Sequence, residues 1–410
     1  MGFSMKRRKN IGSCLFIPSV SLLISLVFLF GLHLNAFCLE NPNPSNFYDV
    51  KINTDVLEGI HLLYNNEFNG AEKIFRKIIT DFPDKPIGYF YLAMASWSKL
   101  ASGFWFSETV NEFKQRIDIT IQIANIRIEK DIADSFDFFY LGGALGFRGR
   151  FDLMKGNWIS SFFDASNAVE ALKTCLNMDP RNRDVLLGIG SFDYYTARLS
   201  GVLKFLSYLL LHKGDKEKGL RKLNTAAREA IYSKTESKSI LLYIYLFSEK
   251  NFVNALPLAE YLEKRYDKNP RFKILKGVSY ICLNMNLKYK NILNDLRQKS
   301  LQAPSSKMAS LWDRRALYLE SIYYLFHARY PEARSKLKMI LEKPDPENDP
   351  EMIAWPIVKT GMSYDLEGNR EEAIKFYNQI LNMENGSGAQ FLAKKLLKKP
   401  AKGKEPMIVY

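Results

Sequence analysis

Apolar residues recur along most of the chain at steps of three and four. From Ser107 to Lys130 they fall at Val110, Phe113, Ile117, Ile121, Ala124 and Ile128, one face of a helix. A longer pattern lies over this one. Gly59 is followed nine residues later by Phe68, then by Ala71, Phe75 and Pro83. The same frame returns as Gly361, Tyr364, Gly368, Asn369, Ala373, Tyr377 and Ile380. Further copies read Tyr330, Ala333, Leu337, Ile340, and Phe252, Ala255, Ala259, Leu262, Tyr266 before Asn269-Pro270. Two more are interrupted by insertions: Leu141-Gly142 is completed by Ala168, Leu172, Cys175 and Pro180, and Ile189-Gly190 by Gly219, Leu223 and Ala226. Self-similarity at this scale, with few competing strand patterns, predicts stacked helix pairs. Ile274 to Leu296 reads as apolar helix without the frame, and 390–399 as a closing helix.

The offsets resemble the tetratricopeptide repeat. Small residues stand where two helices cross closely, aromatics fill the gap, and proline stops the second helix. The resemblance implies an all-α fold, an α-solenoid of tetratricopeptide-like helix pairs with two lengthened central repeats. The expected organisation is a signal peptide or anchor over 1–38, a linker over 39–48, and N-terminal repeats over 49–133. Central repeats with insertions follow over 134–235, C-terminal repeats over 236–385, a capping helix over 386–400 and a flexible tail over 401–410. Residues 142–270 resemble, more narrowly, a group of exported bacterial tetratricopeptide-repeat proteins. That likeness rests on Gly149-Arg150 with Trp158, Asp179-Pro180, Gly188-Ile189-Gly190 with Tyr194-Tyr195, Gly201 to Lys204, Gly214-Asp215 and Gly219-Leu220. It implies export and an extended helical array, and no activity.

The amino terminus carries the marks of an export signal. Lys6 to Lys9 is basic, no charge follows until Glu40, and the span is most apolar from Val20 to Leu32. Ala36-Phe37-Cys38 suits cleavage after Cys38. Lipidation of Cys38 and an uncleaved anchor are the rival readings; all three carry the rest of the chain across a membrane, to the periplasm or cell envelope.

Charge and composition narrow the function. The formal net charge is +14, falling to +10 without residues 1–38. This moderate excess has no concentrated basic stripe, so no nucleic-acid partner is expected; a membrane surface or an anionic envelope polymer is a more plausible acidic contact. Cys175 and Cys282 are expected as buried free thiols, too far apart along a solenoid to join. There is no phosphate-binding glycine loop, no H-E-x-x-H, no C-x-x-C and no G-x-S-x-G. His61, His212 and His327 are scattered singly. No cofactor, metal or enzymatic activity is expected. The clamp with which some tetratricopeptide repeats hold a terminal carboxylate needs Lys and Asn on the inner helices. The corresponding positions are Val56, Ile60, Val358 and Met362.

Aromatic and arginine content peaks in the insertion from Phe136 to Phe163 and in the repeat after it. Aromatics and Arg dominate interface hot spots. Phe147, Arg148, Arg150, Tyr194, Tyr195 and Arg198 are therefore the candidate partner-binding residues, expected on a concave surface. The leading functional reading is a non-catalytic protein–protein interaction scaffold of the cell envelope. The alternatives are a peripheral membrane or envelope-polymer binder, for which the apolar run Val202 to Leu211 is a candidate contact, and an enzyme with an unrecognised site.

Overall fold

A computed structural model describes residues 50–198 and 214–403. The expected signal, the linker and the Val202 to Leu211 run lie outside the described residues. The described residues lie in one compact unit. Among the described residues every regular element is helical, and seventeen α-helices follow one another. They pair in sequence. α1 (Val50–Tyr64) packs on α2 (Phe68–Asp81), α3 (Pro86–Ala101) on α4 (Ser107–Glu129), and α5 (Ser135–Lys155) on α6 (Trp158–Met178). α7 (Val185–Thr196) pairs with α8 (Lys216–Glu229) across the undescribed stretch, and α9 (Lys234–Tyr243) with α10 (Phe252–Arg265). Next come α11 (Pro270–Cys282) with α12 (Asn286–Leu301), α13 (Ser306–Phe326) with α14 (Tyr330–Leu341), and α15 (Glu351–Glu367) with α16 (Arg370–Leu381). α17 (Ala389–Lys398) closes the array against α16 and α15. The protein is thus an all-α solenoid of helix pairs, each covering the apolar face of the next.

The sequence frame maps onto this packing position by position. A Cβ at Gly59 would lie 2.3 Å from the Phe75 ring, and one at Gly361 2.7 Å from Tyr377. No larger residue fits where the two helices of these pairs cross. Ala71, Phe75, Ala255, Ala259, Leu262, Ala333, Leu337, Ile340, Ala373, Tyr377 and Ile380 have no or almost no exposed surface. Most turns between paired helices contain one residue in the left-handed region: Asn66, Gly103, Gly156, Lys250, Asn284, Ala328 or Gly368. Only three of these are glycine, the residue that takes this conformation without strain.

Several expectations need correction. The stretch 274–296 is not frameless helix: it holds α11 and α12, broken at Leu283 to Met285, and Gly277 sits against Leu319 of α13. Cys175 is buried, and burial pushes its thiol up to about 12. Cys282 is only half-buried, at the end of α11. Val56, Ile60, Val358 and Met362 are core residues rather than an inner surface, which rules them out as clamp positions on burial as well as on chemistry.

The array also curls back on itself. Tyr64, at the end of α1, stacks against Tyr266 and Phe272 with ring centroids 5.2 and 6.3 Å away. Asn269 donates to the Tyr64 carbonyl at 2.9 Å. Tyr232 reaches Tyr91 of α3 and bonds Asn53 of α1. The turn after α3 docks on the carboxy-terminal pairs. Arg271 donates to the Ala101 carbonyl, Gly103 lies against Glu351, and Trp105 packs on Phe391 at 5.0 Å. Beneath this contact lies a buried ionic network in which Arg314 and Arg315 share Asp349 and Arg315 also holds Glu351.

Candidate binding surface

The candidate surface is built on α5 and α6, which are 21 residues each. Asp134 starts α5 through a capping box with Asp137, whose carboxylate is also held by Arg127 at 2.9 Å. Burial raises the Asp137 carboxyl above its ordinary value, against the bonds that lower it. Glycines at 142 and 149 bring α6 close: Cβ atoms there would meet the Ala168 and Ser161 carbonyls at 2.9 and 3.0 Å.

The extra length of this pair lies at its turn. α5 runs thirteen residues past Gly142, whereas α1, α11 and α15 end five or six residues past Gly59, Gly277 and Gly361. Correspondingly, α6 begins ten residues before Ala168, but α2, α10, α14 and α16 begin three before Ala71, Ala255, Ala333 and Ala373. About seven extra residues at 1.5 Å each lengthen the hairpin by about 11 Å. One side of the extension leans on α4 and the turn before it, through Phe151 against Phe113 at 5.3 Å and Trp105 at 6.0 Å.

The six candidate residues divide into two sets. Phe147 is half-buried against Trp97 and Phe90, with centroids 5.4 and 6.3 Å away. Arg148 donates twice to Asp164, both at 2.8 Å, and once to Asp118 at 3.1 Å. These bonds raise its pKa further still. Tyr194 is fully buried and its hydroxyl donates to Glu249 at 2.7 Å. Burial and that carboxylate push the Tyr194 phenol well above its ordinary range. These three tie helices to one another. Arg150, Tyr195 and Arg198 keep open faces: their exposures are 49%, 49% and 43%. Arg150 lies over the Trp97 ring at 5.1 Å and is 3.5 Å from Glu236. Arg198 lies over the Tyr194 ring at 5.5 Å, and the Tyr195 ring meets Tyr194 edge-on at 5.1 Å.

Glu249 is the organising residue that sequence reasoning passed over. It accepts from Tyr194, from Arg198 at 3.0 Å and from Lys216 at 2.7 Å. Those bonds, Lys216 first, hold its carboxyl below the ordinary value of 4.5. A wide π-helical turn, Ile244–Ser248, continues α9 and delivers Glu249 to this position. Glu236, which also accepts from the Tyr64 hydroxyl, is the other omission. Neither carries a local signal, since each lies 51 or more residues from its arginine.

Other chemistry is sparse. His61 stacks on Tyr266 at 5.4 Å and its Nε2 meets the Asn65 amide at 3.0 Å. His327 bonds the Tyr323 carbonyl one turn back. Among the described residues no cluster of three His, Cys, Asp or Glu side chains could hold a metal ion. Among them, too, no helix is long and apolar enough to cross a membrane.

No protein-family model matches the chain, and no curated protein matches it. Among solved structures it is similar to the TPR domain of P58(IPK), at 16% identity over 86% of this chain and 100% of that one, with a TM-score of 0.22. The assignment to a solenoid of helix pairs rests on the packing described above.

Proposed function

We propose that this chain is a non-catalytic protein–protein interaction scaffold of the cell envelope, carried there by its amino-terminal segment, and that Arg150, Tyr195 and Arg198 form part of its contact surface. The observation that supports this reading is the division among the candidate residues. Phe147, Arg148 and Tyr194 are consumed by the fold, while Arg150, seated over Trp97, and Tyr195 and Arg198, seated against Tyr194, keep guanidinium and phenol faces open. Arg and Tyr fixed in place before association lose little entropy on binding, which suits them to be anchors.

The test is affinity purification from crosslinked cells, with the Arg150→Ala/Tyr195→Ala double variant beside the unaltered protein. Partner recovery should fall at least about tenfold, as truncated hot-spot residues imply. The unfolding midpoint should barely move, because changes at exposed positions shift stability by about 0.5 kcal/mol or less. Equal recovery from both proteins would place the contact elsewhere. A carboxy-terminal reporter active only after export tests the envelope assignment; an inactive fusion accumulating in the cytoplasm would overturn it.

A further inference from the structure

Large exposed apolar side chains are scattered singly over most of the described surface, which is ordinary for a folded chain. The end of the α5–α6 hairpin is different. Leu153, Trp158, Ile159 and Phe163 are exposed by 53%, 44%, 60% and 53% within eleven residues. They sit on the two-turn extension that the other helix pairs compared above lack. Residues 155–160 are exposed without interruption, and Lys155, the last residue of α5, precedes a turn made of Gly156 and Asn157. The other four tryptophans, Trp97, Trp105, Trp312 and Trp355, are all buried.

We propose that this hairpin end is a membrane-insertion tip, which enters the interface of an anionic lipid bilayer. Three features favour lipid over an apolar protein groove. The apolar residues come from both helices around the convex end of an elongated hairpin, a shape that a fluid surface accommodates and a flat protein patch does not. Their chemistry is that of the bilayer interface: an indole whose N–H stays among headgroups, aliphatic and phenyl side chains that go deeper, and a lysine that reaches back to phosphate. Charge is complementary as well. Lys155 is the one charged residue between Leu153 and Phe163 and is exposed, while Asp152, just before this stretch in α5, is engaged by Ser160 at 2.7 Å and by Asn157. Shallow insertion of an apolar face, reinforced by attraction to anionic lipid, is the way interfacial helices bind. This inference does not depend on the scaffold reading, since it uses none of Arg150, Tyr195 or Arg198.

The tip's tryptophan supplies the measurement. The full chain is mixed with vesicles of equal phosphatidylcholine and phosphatidylglycerol whose acyl chains carry bromine, a contact quencher of indole emission. Emission should fall on mixing, and Trp158→Phe, which keeps the tip apolar, should float with the vesicles equally well yet lose most of that quenching. Ile159→Asp with Phe163→Asp should retain the helical circular dichroism and abolish the Trp158 quenching by at least about tenfold in lipid concentration, given the apolar area withdrawn. Flotation of the full chain without Trp158 quenching would overturn the proposal, because the protein would then be held by another segment. So would the absence of flotation, or an emission shift that depends on protein concentration in lipid-free buffer, which would assign the tip to a second copy of the chain.

Discussion

Glu249 joins three side chains, those of Tyr194, Arg198 and Lys216, and its ionisation should therefore be visible in stability. Its carboxyl titrates below 4.5 in the folded protein because Lys216, Tyr194 and Arg198 favour the charged form. A depressed folded pKa means the contribution is fully present above the unfolded value and is lost as pH falls through the folded one. Glu249→Gln should cost about 2 kcal/mol at pH 7, the usual scale for hydrogen bonds to a charged group. Urea unfolding of the two proteins should converge as pH drops below 4.5. A gap that stays constant with pH would mean that packing, not charge, is what the glutamate supplies. The exposed surface of Tyr195 rests on this arrangement, since the ring lies edge-on to Tyr194.

Among the elements, the α5–α6 pair shows how three glycines on one face act differently. Gly142→Ala would place a methyl 2.6 Å from Leu172 and 2.9 Å from a backbone carbonyl, and should cost about 1–3 kcal/mol. Gly146→Ala meets nothing nearer than 3.9 Å and should be neutral or stabilise by up to about 1 kcal/mol through helix propensity. Thermal unfolding of both variants checks the pair; equal effects would mean that the close crossing at Gly142 is not the constraint. Crossings of this kind were legible in the sequence wherever the small residue of the first helix meets the second helix of the same pair, as Gly59 meets Phe75. The α11–α12 pair escaped because Gly277 faces the next pair instead, against Leu319. The candidate surface was legible in its composition but not in its wiring. Nothing local tells that Arg148 is spent on Asp164 and Asp118 while Arg150, paired with Glu236, stays half exposed. That difference is set by which way each residue faces around α5.

On the scale of the whole described unit, the decisive contact is the docking of the α3–α4 turn on the carboxy-terminal pairs. Trp105 is the bolt: it is buried, its backbone N–H donates to Asn385 at 3.3 Å, and its ring packs on Phe391 and Phe151. Trp105→Ala should cost about 3–5 kcal/mol, as for other large buried aromatics. It should also enlarge the radius of gyration in small-angle scattering as the curl loosens. A destabilised variant with unchanged dimensions would make Trp105 a local packing residue only.

This contact has a consequence for how the chain is made. In an open repeat array each unit can form as soon as its neighbour exists, because it needs nothing farther away. Here the turn at Ala101 to Trp105 finds its partners 170 and 280 residues later. Synthesis runs from the amino terminus at roughly 5–20 residues per second. The first pairs therefore emerge with Tyr64 and Trp105 lacking the surfaces that cover them; Tyr64 waits for residues 266 to 272 and Trp105 for residues 385 to 391. Over that interval the nascent protein presents its inner aromatic face to whatever is at hand, so holding factors and crowding should affect its yield more than its final stability.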